Sequence, residues 1–299
     1  MKVAITGGSG FVGQALTKLL LERGHDVFIL TRSEKASSED VQMVYWLGDG
    51  AEPEHYVDGM DAWINLAGTS INDGRWTEVQ KQKIYDSRMK ATDEVLRILG
   101  KVTKKPSVLV NSSAIGIYPP SEHATYNEQS PARGSDFLAK TVEDWEKKAS
   151  SVEQFGTRVV VGRFGIVLGK ENGALPLMAL PYRLGVGGQV GSGKQWVSWV
   201  HETDVARAIL YAIEHEDFKG PFNLTSPNPI QMNEFGEILG AVLHRPHWVP
   251  VPSFALKFAL GDKSQLVLEG QRVMPEKLLT HGFKFTFPYL KEALTNIYA

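Results

Sequence analysis

Short apolar runs alternate with longer stretches of helical periodicity through the first half of the chain. The apolar runs are rich in valine, isoleucine and leucine, and they predict strands at residues 2–6, 26–31, 42–46, 62–66, 107–111 and 158–163. Between them, apolar side chains recur at helical spacing, which predicts helices at residues 13–23, 79–99 and 135–149. Strands of this composition that alternate with helices pair in parallel and carry helices on both faces. The pattern therefore predicts an α/β fold of the Rossmann type, built on a doubly wound parallel sheet.

The pattern changes after residue 165, where glycines and prolines become frequent. Helical periodicity returns over residues 174–184, 203–214 and 231–243. We expect residues 1–165 to form the sheet domain and residues 166–299 to form a smaller substrate domain, with a C-terminal extension at about residues 246–296. Open α/β sheets bind ligands beyond the carboxyl ends of their strands, so we expect a site in the cleft between the two parts.

The composition excludes several kinds of chemistry. The 299 residues include no cysteine, which rules out disulfides, thiolate metal sites and a cysteine nucleophile. The net charge of −2 gives no field that would attract nucleic acid or an anionic membrane. No apolar stretch approaches the roughly 18 residues of a membrane span, and the eight histidines lack the spacing of a metal site. The sequence opens with a strand pattern and no signal peptide, so we expect a cytoplasmic protein that binds no metal.

A glycine-rich turn follows the first predicted strand and precedes the first predicted helix. It reads Thr6-Gly7-Gly8-Ser9-Gly10-Phe11-Val12-Gly13, and it fits either G-x-G-x-x-G or G-x-x-G-x-x-G spacing. Glycines permit the tight turn and let a diphosphate approach the backbone, while the helix N-terminus offers free N–H groups and a positive dipole end. An ordinary glycine-rich turn is the alternative, but the strand–turn–helix context favours a dinucleotide site. We expect the diphosphate to contact Gly7, Gly10, Phe11 and Val12.

The end of the second predicted strand distinguishes between the two nicotinamide dinucleotides. NAD-selective sites usually place an acidic residue here to bind the ribose 2′-hydroxyl. The sequence instead continues with Thr31-Arg32-Ser33, and an arginine can pair with a 2′-phosphate through a charge-assisted contact. A solvated loop arginine is the alternative interpretation. We favour NADP (or NADPH) as the cofactor, with Arg32 at its 2′-phosphate.

Segments downstream of this turn carry further sequence signatures. They are Asn65-Leu66-Ala67-Gly68, Asn111-Ser112-Ser113, Glu128-Gln129-Ser130-Pro131, Val200-His201-Glu202-Thr203-Asp204-Val205 and Phe222-Asn223-Leu224. With the glycine turn, they resemble the short-chain dehydrogenase/reductase superfamily, and especially its extended branch of sugar-nucleotide epimerases and dehydratases. We expect the cofactor's adenosine and ribose to lie near Leu66, Ala67 and Gly68. Arg163 closes the sixth predicted strand, where we expect it to line the nicotinamide pocket.

Other segments carry a more specific resemblance. They are Gly134-Ser135-Asp136-Phe137-Leu138-Ala139-Lys140, Asp144-Trp145-Glu146, Gly187-Gly188-Gln189-Val190-Gly191-Ser192-Gly193-Lys194-Gln195-Trp196, Asn223-Leu224-Thr225-Ser226-Pro227-Asn228-Pro229 and His244-Arg245-Pro246. They resemble an atypical epimerase-like family of the extended branch, of the NAD-dependent epimerase/dehydratase type. That family carries a characteristic C-terminal extension, which residues 250–294 resemble. The resemblance covers essentially the whole chain.

The resemblance also implies an active site, from which this sequence departs at one position. In the superfamily a tyrosine moves the proton during hydride transfer, and a lysine four residues later lowers its pKa and binds the nicotinamide ribose. Lys140 occupies the lysine position, but the residue four before it is Asp136. Asp136 also has a structural interpretation, because it follows Ser135, a good N-cap, and a carboxylate there favours the helix dipole. We expect Lys140 to contact the cofactor ribose, against the alternative of a surface lysine.

Hydroxyl groups near the end of the fifth predicted strand complete the candidate site. The resemblance implies that Ser113 polarises the substrate oxygen, while Ser112 points to the opposite face of an extended segment. Both serines have the alternative of satisfied turn residues. Tyr118 lies just beyond the strand and is the nearest replacement for the missing tyrosine. The predicted catalytic residues are therefore Ser113, Lys140 and Tyr118.

Two functions remain open at this point. The intact cofactor turn and Lys140 favour an NADP-binding oxidoreductase or epimerase-like enzyme that acts on an unidentified small carbonyl or nucleotide-sugar-like substrate. The missing tyrosine favours a catalytically weak NADP-binding regulatory protein, whose affinity for a partner changes with bound cofactor. We expect a small-molecule ligand and no nucleic-acid or membrane partner, and analogy with the extended branch suggests a homodimer.

Overall fold

The computed structural model describes residues 1–33, 37–38 and 40–299. Its strands are β1 (Lys2–Thr6), β2 (Asp26–Thr31), β3 (Val41–Tyr45), β4 (Ala62–Asn65), β5 (Val108–Ala114), β6 (Thr125–Tyr126), β7 (Arg158–Phe164), β8 (Ile166–Leu168), β9 (Trp196–Val197), β10 (Trp199–His201), β11 (Gly220–Leu224), β12 (Ile230–Gln231) and β13 (Arg272–Val273). Its α-helices are α1 (Phe11–Glu22), α2 (Glu54–Val57), α3 (Glu78–Lys101), α4 (Phe137–Ser150), α5 (Leu175–Arg183), α6 (Glu202–Glu214), α7 (Met232–Val242), α8 (Ser253–Leu260), α9 (Gln265–Leu268), α10 (Glu276–Thr280) and α11 (Leu290–Tyr298). Short 3₁₀ helices cover Ile115–Ile117, Ser151–Phe155 and Gly261–Ser264.

Seven strands form one central sheet in the order β11-β7-β5-β4-β1-β2-β3, and every neighbouring pair is parallel. The chain winds outward in one direction from β1 to β3 and in the other direction from β4 to β11, so the order reverses between β1 and β4. Open sheets of this kind bind ligands at the reversal, beyond the carboxyl ends of the strands. The predicted Rossmann-type α/β fold is confirmed, and β1 and β2 have the predicted bounds.

The seventh strand, β11, comes from downstream of residue 165. It pairs with β7 so that Phe222 stands opposite Gly162, and Phe222 is fully buried. The sequence pattern does not predict this strand because its first two positions are Gly220 and Pro221, two residue types that are depleted in strands. The division of the chain at residue 165 stays a prediction, although the sheet itself continues past that point.

Helices cover both faces of the sheet. On one face, Leu16 and Leu20 of α1 and Ile209 of α6 are fully buried in a single apolar core. On the other face, Val95 and Ile98 of α3 belong to a second core. Burying each such side chain stabilises the fold by about 1.5–3 kcal/mol. Their spacing of three or four residues is the periodicity that predicts these helices from the sequence.

α3 is a long helix with one buried side and one charged side. It spans 24 residues and begins after Thr77, whose hydroxyl accepts a hydrogen bond from the Gln80 N–H at 3.2 Å. Its exposed positions are mostly charged or polar, which is typical of a helix at the surface of a sheet. Among the helices of the described ranges, none has both the length and the hydrophobicity needed to cross a bilayer.

A third apolar core joins elements of the second half of the chain. It includes side chains of α5, α7 and α11, among them Leu175, Leu239 and Leu294. Asp204, fully buried in the first turn of α6, connects this region to the sheet, because its carboxylate accepts hydrogen bonds from the Thr286 and Phe287 N–H groups at 2.8 and 2.9 Å. The C-terminal segment is therefore held against the central sheet by buried polar contacts as well as by apolar packing.

Candidate functional site

The glycine turn after β1 is pressed against the end of β4. Gly7 has a φ of +72°, and a Cβ at this position would lie 2.8 Å from the backbone carbon and oxygen of Leu66 and 3.0 Å from the Ala67 nitrogen. A Cβ at Gly13 would lie 2.4 Å from the Gly7 oxygen, so α1 packs directly on the turn. Neither position has room for a side chain. The turn is therefore bare backbone at the point where the strand order reverses.

The N-terminus of α1 carries no capping side chain. Its N-cap residue is Gly10, and its first turn contains no acidic residue. The positive end of the helix dipole and its free N–H groups therefore stand at the turn with no acidic residue in the first helical turn. This arrangement fits the diphosphate of a dinucleotide. Contact of the diphosphate with the predicted positions stays a prediction.

The Phe11 ring connects this turn to the second half of the chain. A Cβ at Gly169 would lie 2.5 Å from the ring, and a Cβ at Gly173 would lie 3.1 Å from it. These two glycines let the loop after β8 lie directly on the ring. Phe11, the first residue of α1, thus forms part of the contact between the glycine turn and the loop after β8.

Arg32 follows β2 at the edge of the sheet where β1 also ends. Its side chain is exposed, and a nearby cavity is lined by residues of β2, β3 and α2, among them Thr31, Ser33, Tyr45 and His55. An exposed guanidinium at this strand end can pair with an anion. Its contact with a 2′-phosphate stays a prediction.

Ser113 and Arg163 stand opposite each other at the ends of β5 and β7, and both contact Glu146 of α4. Ser113 Oγ donates to Glu146 Oε1 at 2.6 Å, while Arg163 donates from Nε to Oε1 and from Nη2 to Oε2, both at 2.8 Å. Burial alone would lower the pKa of Arg163, but the hydrogen bonds and charge of Glu146 raise it above the ordinary value. Ser112 donates instead to the Asn65 carbonyl oxygen at 2.9 Å. The predicted strand-end hydroxyl is thus paired with a carboxylate.

Glu146 is absent from the predicted site residues, although the sequence contains a signal for it. Ala139, Val142 and Ala149 form the buried face of α4, and Glu146 lies on that face at helical spacing. A carboxylate in an apolar stripe is seldom buried without a partner. That pattern indicates an ion pair or a site, but it does not identify Arg163 as the partner.

Tyr118 is fully buried behind this ion pair. Its hydroxyl accepts a hydrogen bond from Arg163 Nη1 at 2.8 Å and lies 3.0 Å from both the Asn127 carbonyl oxygen and Asn223 Oδ1. Burial raises the pKa of the phenol, and Arg163 offsets that effect only in part. The Tyr126 ring stacks on it, with centroids 5.2 Å apart. The hydroxyl would have to give up a protein partner to reach a ligand, and its catalytic role stays a prediction.

α4 begins with Asp136 as its N-cap. Asp136 Oδ1 accepts a hydrogen bond from the Ala139 N–H at 2.9 Å, which confirms a structural role for this carboxylate. The expected N-cap at Ser135 is wrong by one residue, because the side chain that reaches the free N–H belongs to Asp136. Lys140 is exposed, and no hydrogen bond links it to Ser113 within the described residues. Its contact with the cofactor ribose stays a prediction.

The C-terminal extension forms one wall of a cavity beside the start of α4. Lys81 of α3 pairs with Asp262 at 2.8 Å, and Lys263 donates to the Gly74 carbonyl oxygen at 3.1 Å. The cavity is lined by both parts of the chain, at Lys81, Asp136, Phe137, Lys257, Gly261, Asp262, Ser264 and Gln265. The extension therefore borders a recess that also contains the residue in the superfamily's tyrosine position.

Polar side chains hold the strand ends together beneath the site. Thr6 Oγ1 donates to Asn65 Oδ1 at 2.6 Å, and Asn65 Nδ2 donates to Asn111 Oδ1 at 2.7 Å. Thr92 Oγ1 of α3 accepts hydrogen bonds from Asn65 Nδ2 at 3.2 Å and from Trp145 Nε1 at 3.0 Å. Buried hydrogen bonds are costly to leave unmade, so this network fixes β1, β4 and β5 relative to α3 and α4.

Two family models match the chain. Residues 3–225 match the NAD dependent epimerase/dehydratase family, and residues 251–297 match a domain of unknown function, DUF1731. The first match contains the glycine turn and the contacts around Ser113, and the second contains most of the expected C-terminal extension. Both matches agree with the resemblance drawn from the sequence motifs.

Known proteins are similar along the full length of this chain. Epimerase family protein YfhF of Bacillus subtilis (strain 168) is 48% identical over 300 residues, which cover 100% of this chain and 98% of that protein. The crystal structure of human epimerase family protein SDR39U1 (isoform 2) with NADPH has a TM-score of 0.90 at 35% identity, covering 99% of each chain. A nucleoside-diphosphate sugar epimerase from Corynebacterium glutamicum has a TM-score of 0.79 at 27% identity, covering 98% of this chain and 57% of that one.

Proposed function

Because the chain belongs to the NAD dependent epimerase/dehydratase family, we propose that it is an NADP(H)-dependent oxidoreductase or epimerase-like enzyme. Its substrate is a small carbonyl or nucleotide-sugar-like molecule. The observation that carries the proposal is the glycine turn at the reversal of strand order, which faces an uncapped helix N-terminus. The human relative that has been crystallised with NADPH supports the choice of cofactor.

The cofactor would lie across the ends of β1, β2 and β4. Backbone N–H groups of the turn and of the first turn of α1 would hold the diphosphate, at Gly7, Gly10, Phe11 and Val12. The segment after β4 would border the adenosine and ribose, at Leu66, Ala67 and Gly68. Arg32 would pair with the 2′-phosphate, and Arg163 would line the nicotinamide end. When bound, NADP(H) supplies or accepts a hydride at its nicotinamide ring.

Ser113 and Glu146 would carry the proton in this enzyme. Because Ser113 Oγ donates its own proton to Glu146, its lone pairs are free to accept a hydrogen bond from a substrate hydroxyl. A proton that leaves that hydroxyl passes to Ser113 Oγ as the serine proton passes to Glu146 Oε1, and the reverse path returns it. Arg163 orients the carboxylate through two hydrogen bonds. The pair would take the role that tyrosine has elsewhere in the superfamily.

A regulatory NADP-binding protein is the second candidate, and one observation favours it. Asp136 caps its helix and Lys140 is exposed, so neither is hydrogen-bonded to the strand-end hydroxyl within the described residues. Such a protein would turn over no substrate, and its affinity for a partner would differ between the free and the NADPH-bound forms. A panel of carbonyl and nucleotide-sugar substrates separates the two functions, because NADPH oxidation or epimerisation supports the enzyme alone.

Cofactor titration is the first test of either function. Nicotinamide fluorescence would follow the binding of NADPH and NADH to the wild-type protein, to Arg32→Ala and to a control, Arg23→Ala, which removes an exposed arginine at the far end of α1. We expect a preference for NADPH that is lost in Arg32→Ala and retained in the control. Binding of neither dinucleotide to the wild-type protein would contradict both functions.

A further inference from the structure

Arg88 of α3 lies directly beneath the segment that follows β4. A Cβ at Gly68 would lie 3.3 Å from Arg88 Cζ and 3.4 Å from Nη1. Nη1 donates to the carbonyl oxygens of Thr69 and Ile84 at 3.1 and 2.9 Å, and the guanidinium carbon lies 5.1 Å from the centre of the Trp145 ring. The guanidinium is thus held in place by backbone oxygens on one side and an aromatic face on another.

No carboxylate balances this charge within the part of the chain that the structure describes. The acidic side chains closest along α3 and α4 have other partners. Asp86 accepts from Gln82 at 2.8 Å, and Asp144 accepts from Tyr85 at 3.0 Å. Glu146 is occupied by Ser113 and Arg163. The positive charge of Arg88 is therefore compensated by carbonyl dipoles and a ring alone.

Part of the hydrogen-bonding capacity of Arg88 is also unused. An arginine has five N–H donors, but among the described residues Nε and Nη2 donate to no acceptor. The side chain is part-buried, and burial lowers its pKa to about 10, which still leaves it protonated at neutral pH. Neither donor is buried without a partner, so both reach solvent and are accessible to an anion in the cleft.

The contacts of Arg88 connect two parts of the candidate site. The glycine turn touches Leu66 and Ala67, and Arg88 touches the next two residues of the same segment. On its other side, Arg88 packs on the ring of Trp145, which is the residue next to Glu146 in the sequence. Arg88 therefore contacts both the segment that packs on the glycine turn and the residue next to Glu146.

We propose that Arg88 binds an oxyanion, a phosphate or carboxylate group of the molecule held in this cleft. A planar guanidinium with two free donor groups matches such an anion through paired N–H···O contacts. The anion belongs either to the diphosphate of the cofactor or to an anionic substrate. The inference rests on the proposed function for the assignment of the cleft, and it adds an anionic group as a requirement for tight binding there.

Arg88→Gln removes the charge and the planar guanidinium while leaving a polar side chain of intermediate length. The matched control is Lys90→Gln, which removes an exposed charge from the same helix. Thermal melts establish that both variants are folded. Calorimetry then gives the Kd of NADPH, of adenosine 2′,5′-bisphosphate, and of inorganic phosphate added to the NADPH complex. Arg88→Lys, which keeps the charge but not the planar fork, serves if Arg88→Gln does not fold.

The two sources of the anion give different results. If the cofactor diphosphate binds Arg88, the Kd of NADPH rises by about tenfold or more in Arg88→Gln, because a charge-assisted hydrogen bond is lost. The Kd of adenosine 2′,5′-bisphosphate, which lacks the diphosphate, changes less than the Kd of NADPH. If the substrate supplies the anion, the Kd of NADPH is unchanged, while inorganic phosphate binds the wild-type complex and not the variant complex. Lys90→Gln behaves as wild type in both cases.

Wild-type affinities for both NADPH and phosphate in a folded Arg88→Gln protein would overturn the proposal. The same holds if the wild-type NADPH complex takes up no phosphate and the variant binds NADPH normally. A wild-type protein that binds no NADPH would instead end the proposed function. In that event, phosphate titration of the unliganded wild-type protein and of Arg88→Gln still tests Arg88. Equal phosphate binding by the two proteins, or no binding by either, overturns the proposal.

Discussion

Ser113 Oγ lies 2.6 Å from Glu146 Oε1, and this contact joins the end of β5 to the middle of α4. The same carboxylate pairs with Arg163 through two hydrogen bonds of 2.8 Å. The resemblance to the superfamily implies a proton-carrying tyrosine at the position of Asp136, near the start of this helix. Here the helix start holds Asp136 as a cap. A carboxylate further along the helix therefore stands beside the hydroxyl.

Replacement of Glu146 tests whether this carboxylate carries a proton. Glu146→Gln keeps the size of the side chain and an oxygen to accept from Ser113, but it cannot take up a proton at neutral pH. We expect kcat/KM to fall by about 100-fold to 1,000-fold, with the Kd of NADPH unchanged. Ser113→Ala should show a similar loss, whereas Ser112→Ala, whose hydroxyl donates to a backbone carbonyl, should not. Wild-type turnover in a folded Glu146→Gln protein would leave the carboxylate a structural role alone.

Tyr118→Phe distinguishes a buried structural phenol from a catalytic one. The change removes the hydroxyl that pairs with Arg163 Nη1 and Asn223 Oδ1, so we expect the free energy of unfolding to fall by roughly 1–3 kcal/mol. Turnover should persist, because the proposed proton path does not pass through this hydroxyl. Urea unfolding and steady-state kinetics on the same variant give both quantities. Lost turnover with unchanged stability would instead make Tyr118 the proton carrier.

Gly13→Ala should abolish cofactor binding or prevent folding of the turn. The added Cβ would lie 2.4 Å from the Gly7 oxygen and 2.6 Å from the Gly8 Cα, and backbone at that distance cannot give way. The control is Gly100→Ala in α3, where the closest atom to the new Cβ is 3.7 Å away and alanine favours the helix by up to about 1 kcal/mol. Melting temperature and NADPH fluorescence report both effects. Normal NADPH binding by Gly13→Ala would show that the turn is not the diphosphate site.

Glu54 should make stability depend on pH in the acidic range. Hydrogen bonds from Arg97 outweigh the effect of burial, and with Lys101 they hold the pKa of Glu54 well below its ordinary value. Because the folded-state pKa is depressed, its contribution is present above the unfolded pKa of about 4.3 and is lost as the pH falls toward the folded value. We expect Glu54→Gln to lower the free energy of unfolding by roughly 1–3 kcal/mol at pH 7.

The measurement for Glu54 is urea unfolding at pH 7 and at pH 3. The difference between the wild-type protein and Glu54→Gln should be smaller at pH 3, where the unfolded wild-type chain has taken up its proton. Glu22→Gln is the control, because that side chain is 59% exposed and lies 4.0 Å from Lys18, and such surface pairs contribute little. An equal difference at both pH values would contradict the assigned charge interaction.

The features that the sequence predicts correctly are those determined within one segment. The bounds of β1 and β2 follow from uninterrupted apolar runs. The glycine turn follows from a spacing that has one physical purpose, close approach of the backbone. β11 is not predicted from its own segment, because Gly220 and Pro221 interrupt the apolar pattern of a strand. Its place in the sheet is determined by pairing with β7, which is distant in sequence.

In the candidate site too, features determined within one segment are predictable, whereas contacts between distant segments are not. Ser113 is predictable as a strand-end hydroxyl, and its place at the end of β5 is as expected. Its partner is not predictable, because the contact with Glu146 and Arg163 depends on the register of β5 against β7 and on the rotation of α4. Spacing within a helix shows that Glu146 shares the buried face, but it does not show which strand end that face meets.

β7 is paired on one side with β5 and on the other with β11. A growing polypeptide whose β7 has left the ribosome while β11 has not holds β7 as an open edge, and that strand contains the run Val159-Val160-Val161. Open, apolar edges are the places where chains associate with one another instead of folding. Completion of this sheet thus waits until β11 has left the ribosome, and until then β7 is the edge open to association with another chain.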